Sequence, residues 1–89
     1  MSITRPIIAA ALGLAALAGP SHAQMAACNW YADTALKQQQ KNEQGKCGFK
    51  GPEWSTSRQV HLAWCATQSP DRWKLEAQRR EQLLAGCKR

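Results

Sequence analysis

The 89-residue sequence has few residues that favour β-strands and no pattern that predicts a strand. Downstream of Ala23, the only side chains branched at Cβ are Thr34, Thr56, Val60 and Thr67. Apolar and polar residues do not alternate, as they would along a half-buried strand. No segment of the chain repeats another. These absences exclude a sheet and indicate an all-α fold.

The sequence also lacks the short motifs that carry most cofactor and catalytic chemistry. It has no C-x-x-C pair, no C-x-x-C-H for haem attachment and no glycine-rich phosphate-binding loop. His61 is the only histidine beyond residue 23. It lies four residues before Cys65, a spacing typical of a packed side chain on a helix. The acidic residues are scattered, so we expect no enzymatic activity, no cofactor and no metal site.

No hydrophobic run in the sequence is long enough to cross a membrane. The longest, Ile7 to Ala18, has about a dozen residues, whereas a spanning helix needs ~20. It follows a short start with one positive charge and precedes small residues at Ser21 and Ala23. That order is typical of a secretory signal peptide. We predict a signal peptide at 1–23, cleaved after Ala23, and a periplasmic or secreted mature domain at 24–89.

Two other interpretations of this region stay open. In the first, the apolar run is a membrane anchor that is not cleaved. In the other, the chain is a lipoprotein, because Met25-Ala26-Ala27-Cys28 places small residues before a cysteine as a lipid-attachment motif does. Polar Ser21, His22 and Gln24, which separate that cysteine from the apolar run, argue against it. A lipid on Cys28 would leave three cysteines for pairing.

The charge of the chain is moderately basic. The whole sequence carries +6, and loss of Arg5 with the signal peptide leaves eleven Lys or Arg against six Asp or Glu, a net charge of +5. This balance favours acidic partners such as anionic lipid headgroups, cell-wall polymers or acidic patches on proteins. No block of five like charges occurs. We expect no nucleic-acid partner, because an exported chain leaves the cytosol.

Helix start and stop signals predict three helices, at about 29–44, 54–67 and 70–86. Asn29 or a neighbour caps the first helix, and Gly45 is predicted at its C′ position. The second half of that helix, from Lys37 onward, is polar all round, so we expect it to project beyond the core or fray. Ser55 or Ser57 caps the second helix. The third starts with Ser69-Pro70-Asp71, which supplies a cap, a proline at N1 and an acid in the first turn.

Residues at helical spacing indicate which sides of the last two helices face the core. On the second helix, Val60, Trp64 and Thr67 form one stripe, with His61 and Cys65 beside them. On the third helix, the predicted stripe consists of Trp73, Ala77, Arg80, Leu84 and Cys87.

Helix geometry selects one pairing of the four cysteines. Short loops make consecutive helices antiparallel, so the start of the first helix lies beside the end of the second. Cys28 and Cys65 then share one pole, and Cys47 and Cys87 share the other. A helix of ~16 residues is ~24 Å long, too long for a disulfide to join its two ends. We therefore predict Cys28–Cys65 and Cys47–Cys87, which staple a small three-helix antiparallel domain.

Four tryptophans are many for so short a chain. Their spacing favours core positions for Trp64 and Trp73, whereas Trp30 and Trp54 fit a core or a binding surface equally. The least generic segment is residues 47–54, in which Phe49, Lys50 and Trp54 stand on a loop held by a disulfide. Aromatic and cationic side chains are favoured at binding hot spots. We predict these three residues as a partner surface, with packing at the end of the bundle as the alternative.

These features favour a small exported protein that acts by binding another protein. The expected function is an interaction module of the cell envelope, such as an accessory subunit, an inhibitor or a chaperone-like protein. The expected partner is another envelope or secreted protein. The alternative is a basic secreted protein that binds an anionic membrane or a wall polymer.

Overall fold

The computed structural model describes residues 21–87, which form three α-helices and no strand. The helices are α1 (His22–Gln44), α2 (Arg58–Ala66) and α3 (Pro70–Cys87), and a short 3₁₀ turn (Pro52–Trp54) lies between α1 and α2. α1 packs against both other helices, whereas α2 and α3 contact each other little. The predicted all-α, three-helix fold is confirmed. The apolar run of the predicted signal peptide lies outside the described residues.

The first helix begins at His22 rather than near Asn29. The hydroxyl of Ser21 caps it by accepting a hydrogen bond of 3.1 Å from the backbone N–H of Gln24. The predicted cleavage point after Ala23 therefore falls within the first turn of α1. Cleavage there would remove the cap and leave Gln24, whose side-chain amide donates to the Ala66 carbonyl at the end of α2.

The second half of α1 packs into the domain, so the prediction that it projects or frays is wrong. Gln38 and Asn42 are only 2 % and 4 % exposed. They lie on the same stripe of α1 as buried Tyr31 and Ala35, at helical spacing. An amide side chain can occupy a core position when its polar atoms find hydrogen-bond partners, and both of these do.

The end of α1 has the hydrogen bonds of a Schellman motif. Lys46 donates its backbone N–H to the Glu43 carbonyl, and Cys47 donates to that of Asn42. Gly45 is the C-cap and has helical torsion angles, so the residue with positive φ is Lys46, one position later than predicted. The motif turns the chain so that Cys47 lies beside the end of α3.

The second helix begins at Arg58, later than predicted, because residues 52–54 form the separate 3₁₀ turn. Ser57 is its cap. Its buried residues are His61 and Cys65, whereas Val60 is 42 % exposed and Trp64 is half-buried. The buried stripe of α2 therefore lies one residue further along the chain than predicted, since it passes through His61 and Cys65 instead of Val60 and Trp64.

The third helix starts where predicted, and its predicted stripe is buried except at Cys87, which is half-buried. Pro70 is its first residue, and the Ser69 carbonyl accepts from the N–H groups of Arg72 and Trp73. Four predicted stripe positions are buried, namely Trp73, Ala77, Arg80 and Leu84.

Both predicted disulfides are present. Cys28 and Cys65 join α1 to α2 with a Cα–Cα distance of 5.5 Å, and Cys47 and Cys87 join the first loop to the end of α3 at 5.8 Å. The sulfur of Cys28 is therefore occupied by Cys65 and is not available for a lipid in the disulfide-bonded chain. Two disulfides are consistent with an oxidising, extracellular compartment.

Candidate functional site

The predicted partner surface divides between the core and the solvent. Trp54 is buried, Phe49 is half-buried and Lys50 is exposed. The rings of Phe49 and Trp54 stack with centroids 5.0 Å apart. The two aromatic residues thus pack on each other, which agrees with the alternative to a partner surface. Of the three residues, only Lys50 is fully exposed.

This loop is held in place by a buried side chain of α1. The amide of Asn42 donates to the Phe49 carbonyl at 2.8 Å and accepts from the Phe49 N–H at 3.1 Å. Gly48 and Gly51 have φ angles of 79° and 119°, which side-chain-bearing residues rarely adopt. The fixed loop leads into the 3₁₀ turn and so positions Pro52 and Glu53.

Pro52 and Glu53 border a cleft that forms because α2 and α3 both pack on α1 and leave a gap between them. We call it the α2–α3 cleft. Its volume is about 390 Å³, within the range of small-molecule and side-chain binding sites. Its lining is Tyr31, Pro52, Glu53, Val60, His61, Trp64, Glu76 and Arg79.

Aromatic rings make up the base of the cleft. Tyr31 of α1 lies against Trp64 with ring centroids 5.3 Å apart, and His61 meets the Tyr31 ring edge-on at 6.2 Å. The Nε2 atom of His61 lies 2.8 Å from the Ser55 carbonyl and donates to it. His61 is 2 % exposed, so it acts as a packed residue that fixes the cleft wall, as its spacing predicted.

Two carboxylates and a guanidinium stand at the rim. Arg79 lies 2.7 Å from Glu76 and 3.5 Å from Glu53. Hydrogen bonding to Glu76 raises the pKa of Arg79, so this residue stays charged. Glu76 serves a second cation as well, because Arg80 lies 3.3 Å from it. Glu53, 36 % exposed in its side chain, is the carboxylate that a ligand can reach most easily.

A buried arginine supports the cleft from below. Arg80 is fully buried and donates to Gln38 at 2.7 Å and to the Tyr31 hydroxyl at 2.9 Å. Its guanidinium carbon lies 5.0 Å from the centroid of the Tyr31 ring. Within residues 21–87 its Nη2 atom makes no hydrogen bond. Burial raises the pKa of Tyr31, and the hydrogen bond from Arg80 opposes that rise without cancelling it.

The cleft was not predicted, although the buried arginine beneath it carried a partial signal. Arg80 stood on the predicted apolar stripe of α3, where a charge calls for a buried partner. The divergence of α2 from α3 has no signature in a single sequence, because it depends on how both helices pack on α1.

The described part of the chain offers no cluster for a metal and no spanning helix. Among residues 21–87, no three His, Cys, Asp or Glu side chains lie close enough together to hold a metal ion. No helix in that range is long and apolar enough to cross a membrane. No protein-family model, curated protein or solved structure matches the chain.

Proposed function

We propose that the protein is a small exported interaction module that binds a segment of another envelope or secreted protein in the α2–α3 cleft. The proposed role is that of an accessory subunit, inhibitor or chaperone-like protein, and it is a binding role rather than a catalytic one. The observation that carries the proposal is the cleft itself, with its aromatic base and charged rim.

The walls of the cleft are fixed before a ligand arrives. A disulfide joins α1 to α2 at one end of the domain, and the bonds from Arg80 hold Tyr31 and Glu76 from below. Binding to a preformed site avoids much of the entropy loss that ordering a flexible surface would cost. This favours recognition through the cleft over recognition through a surface that must reorganise.

The lining defines the chemistry of the partner segment. Pro52, Val60 and Trp64 offer apolar surface to an apolar side chain. At the rim, Glu76 is already shared between two arginines, whereas Glu53 contacts Arg79 at the longer distance of 3.5 Å. A segment that inserts an apolar side chain and carries a lysine or arginine beside it would add a cation next to Glu53.

The proposed compartment is the periplasm or the outside of the cell. The two disulfides support an oxidising compartment. Export by a signal peptide at 1–23, with cleavage after Ala23, is the proposed route. N-terminal sequencing of the secreted protein tests it, and a first residue other than Gln24 would contradict the cleavage site.

The experiment uses a charge introduced into the cleft and a matched charge outside it. Val60 lines the cleft and is 42 % exposed, and Leu75 on α3 is 61 % exposed and does not line it. A partner is first recovered by cross-linking from an envelope extract and then identified and purified. We expect Val60→Lys to weaken its binding by at least about tenfold, since 1.4 kcal/mol corresponds to a tenfold change. Leu75→Lys should leave binding unchanged.

Two results would contradict the proposal. Recovery of no specific partner from the extract is one. Equal binding by wild type and Val60→Lys is the other, because a cation and a longer side chain at position 60 cannot leave a ligand in the cleft unaffected. A Glu53→Gln variant sharpens the test, since it should weaken a partner that carries a cation and spare one that does not.

A further inference from the structure

A second surface of the domain, away from the α2–α3 cleft, carries an exposed tryptophan. Trp30 is 52 % exposed, although an indole ring is mostly apolar carbon that a core would usually take up. Its ring contacts Trp73 with centroids 5.8 Å apart and planes tilted by 51°. Trp73 therefore covers part of the Trp30 ring, and about half of the residue stays open to solvent.

A shallow groove between α1 and α3 runs beside this ring, and we call it the Trp30 groove. Its volume is about 280 Å³. Besides Trp30 and Ala77, its lining consists of residues that form hydrogen bonds: Thr34, Gln38, Lys74, Gln78 and Glu81. One aromatic face thus adjoins a hydroxyl, two amides, an ammonium and a carboxylate.

The polar residues of the groove fall into two groups. Gln38 is buried, with its amide committed to the Ala77 carbonyl, to Glu81 and to Arg80. It holds the base of the groove in shape. Lys74 and Gln78 are exposed on α3 and present donors and an acceptor to the solvent side. Glu81 pairs with Lys41 at 3.5 Å, and the ammonium of Lys74 lies 5.7 Å from the centroid of the Trp73 ring.

We propose that the Trp30 groove binds a saccharide, with one face of a pyranose ring stacked on Trp30. The C–H groups of a sugar ring carry a partial positive charge that suits the negative face of an aromatic ring. Its hydroxyl and acetamido groups suit the exposed amide of Gln78 and the hydroxyl of Thr34. This inference goes beyond the function proposed for the cleft and uses none of its residues.

The lining favours a saccharide over a lipid surface. A membrane-bound patch needs further apolar side chains around the tryptophan and cations at its edge. Here the residues beside Trp30 include Thr34, Gln78 and Glu81, and placing an amide and a carboxylate in the acyl region is unfavourable.

The test is an NMR titration of the disulfide-bonded protein with chitotetraose, an oligomer of N-acetylglucosamine. The indole N–H signals of the four tryptophans report on separate positions. We expect Trp30 to shift most, Trp73 less, and Trp64 in the cleft not at all. Trp30→Ala should weaken binding at least about tenfold, Trp30→Phe should weaken it less, and Leu75→Ala should leave it unchanged.

Two further probes distinguish the possible sources of the sugar. Co-sedimentation with insoluble peptidoglycan, lost in Trp30→Ala, would identify a wall glycan as the ligand, whereas binding of chitotetraose alone would indicate a soluble oligosaccharide. Both results support the site. Failure to bind either glycan would overturn it, as would undiminished binding by a folded Trp30→Ala variant. Binding through Trp30 to phosphatidylglycerol vesicles alone, with loss at high salt, would assign the surface to lipid instead.

Discussion

The two ends of the domain are each closed by a disulfide, but they are filled by different chemistry. At the aromatic end, Cys28–Cys65 is surrounded by a cluster of buried apolar residues that includes Tyr31, Trp73 and Ala77. At the polar end, near Cys47–Cys87, the buried side chains include Gln38, Asn42 and Arg80. The first end is filled by apolar side chains, whereas the second combines buried Leu84 and Trp54 with a network of hydrogen-bonded polar side chains.

The polar end shows how a short chain with few apolar residues can still bury the surface that a stable fold needs. A domain of this size has a marginal apolar core. Long polar side chains extend it, because their stems fill space while their ends are satisfied by one another. Such a network stabilises the fold only while each member keeps its partners. Removal of one member should therefore strongly destabilise the polar end. The stability of the aromatic end depends instead on apolar packing and on the Cys28–Cys65 disulfide.

The largest effect should come from removing the disulfide of the aromatic end. The two disulfides span 37 and 40 residues, so the chain-entropy model gives each about 4 kcal/mol. Cys28 and Cys65 are buried, whereas Cys47 and Cys87 are half-buried. We expect a Cys28→Ala/Cys65→Ala variant to lose about 1–2 kcal/mol more than Cys47→Ala/Cys87→Ala, through lost packing. Urea denaturation measures both, and a larger loss at the polar end would reverse the comparison.

The next effect tests whether Arg80 is the centre of the polar end. Arg80→Ala should cost about 3–5 kcal/mol, because it leaves Gln38, Tyr31 and Glu76 without their shared donor and opens a cavity. The adjacent Arg79 is the matched control, since it lies on the surface with its side chain 46 % exposed. Arg79→Ala should change the free energy of unfolding by no more than about 0.5 kcal/mol. Similar values for the two variants would contradict a buried role for Arg80.

A smaller effect is expected at Asn42, which attaches the first loop to α1. Asn42→Ala removes both hydrogen bonds to the Phe49 backbone and should cost about 1–3 kcal/mol. Its neighbour Gln39 bonds to Asn42 and Glu43 at the edge of the helix, so Gln39→Ala should cost less than about 0.5 kcal/mol. Amide exchange at Phe49 provides a local readout, and unchanged protection there in Asn42→Ala would show that the loop is held by other contacts.

The smallest effect should be a pH dependence of the stability that arises from Tyr31, which lies between the two ends of the domain. Tyr31 is the only tyrosine of the chain, so tyrosinate absorbance reports on it alone. Burial raises its pKa above the ordinary 10.0. Above pH 10 the unfolded chain therefore loses this proton before the folded one does. The corresponding stability is fully present below pH 10 and decreases as the pH rises through the folded pKa. Tyr31→Phe should remove this decrease, and a tyrosinate midpoint at or below 10 would contradict burial.

The sequence allowed the aromatic end to be predicted more fully than the polar end. The predicted positions of Cys28 and Cys65 at opposite helix ends sufficed for their pairing, although α1 begins six residues before Cys28. The predicted stripe of α3 placed Trp73 inside. Gln38 and Asn42 were missed because polarity alone suggests exposure, and only a partner such as Arg80, 42 residues from Gln38, makes burial favourable. The start of α1 was missed because its cap, Ser21, lies within the segment assigned to export.

The candidate functional residues show a similar limit of prediction from the sequence. Phe49, Lys50 and Trp54 were predicted from composition, yet two of them pack against each other. The α2–α3 cleft depends on the angle between two helices that scarcely touch, which local patterns do not encode. Within the predicted loop segment, Pro52 and Glu53 are the residues that reach the cleft.

The most direct test of the difference between the two ends is amide hydrogen exchange along α1. A polar end held by hydrogen bonds keeps the second half of the helix closed. We expect amides of residues 38–43 to be protected to a similar degree as those of residues 29–35, since both open with the domain as a whole. Rapid exchange of residues 38–43 beside strong protection of 29–35 would contradict the account and show a helix that frays beyond its aromatic end.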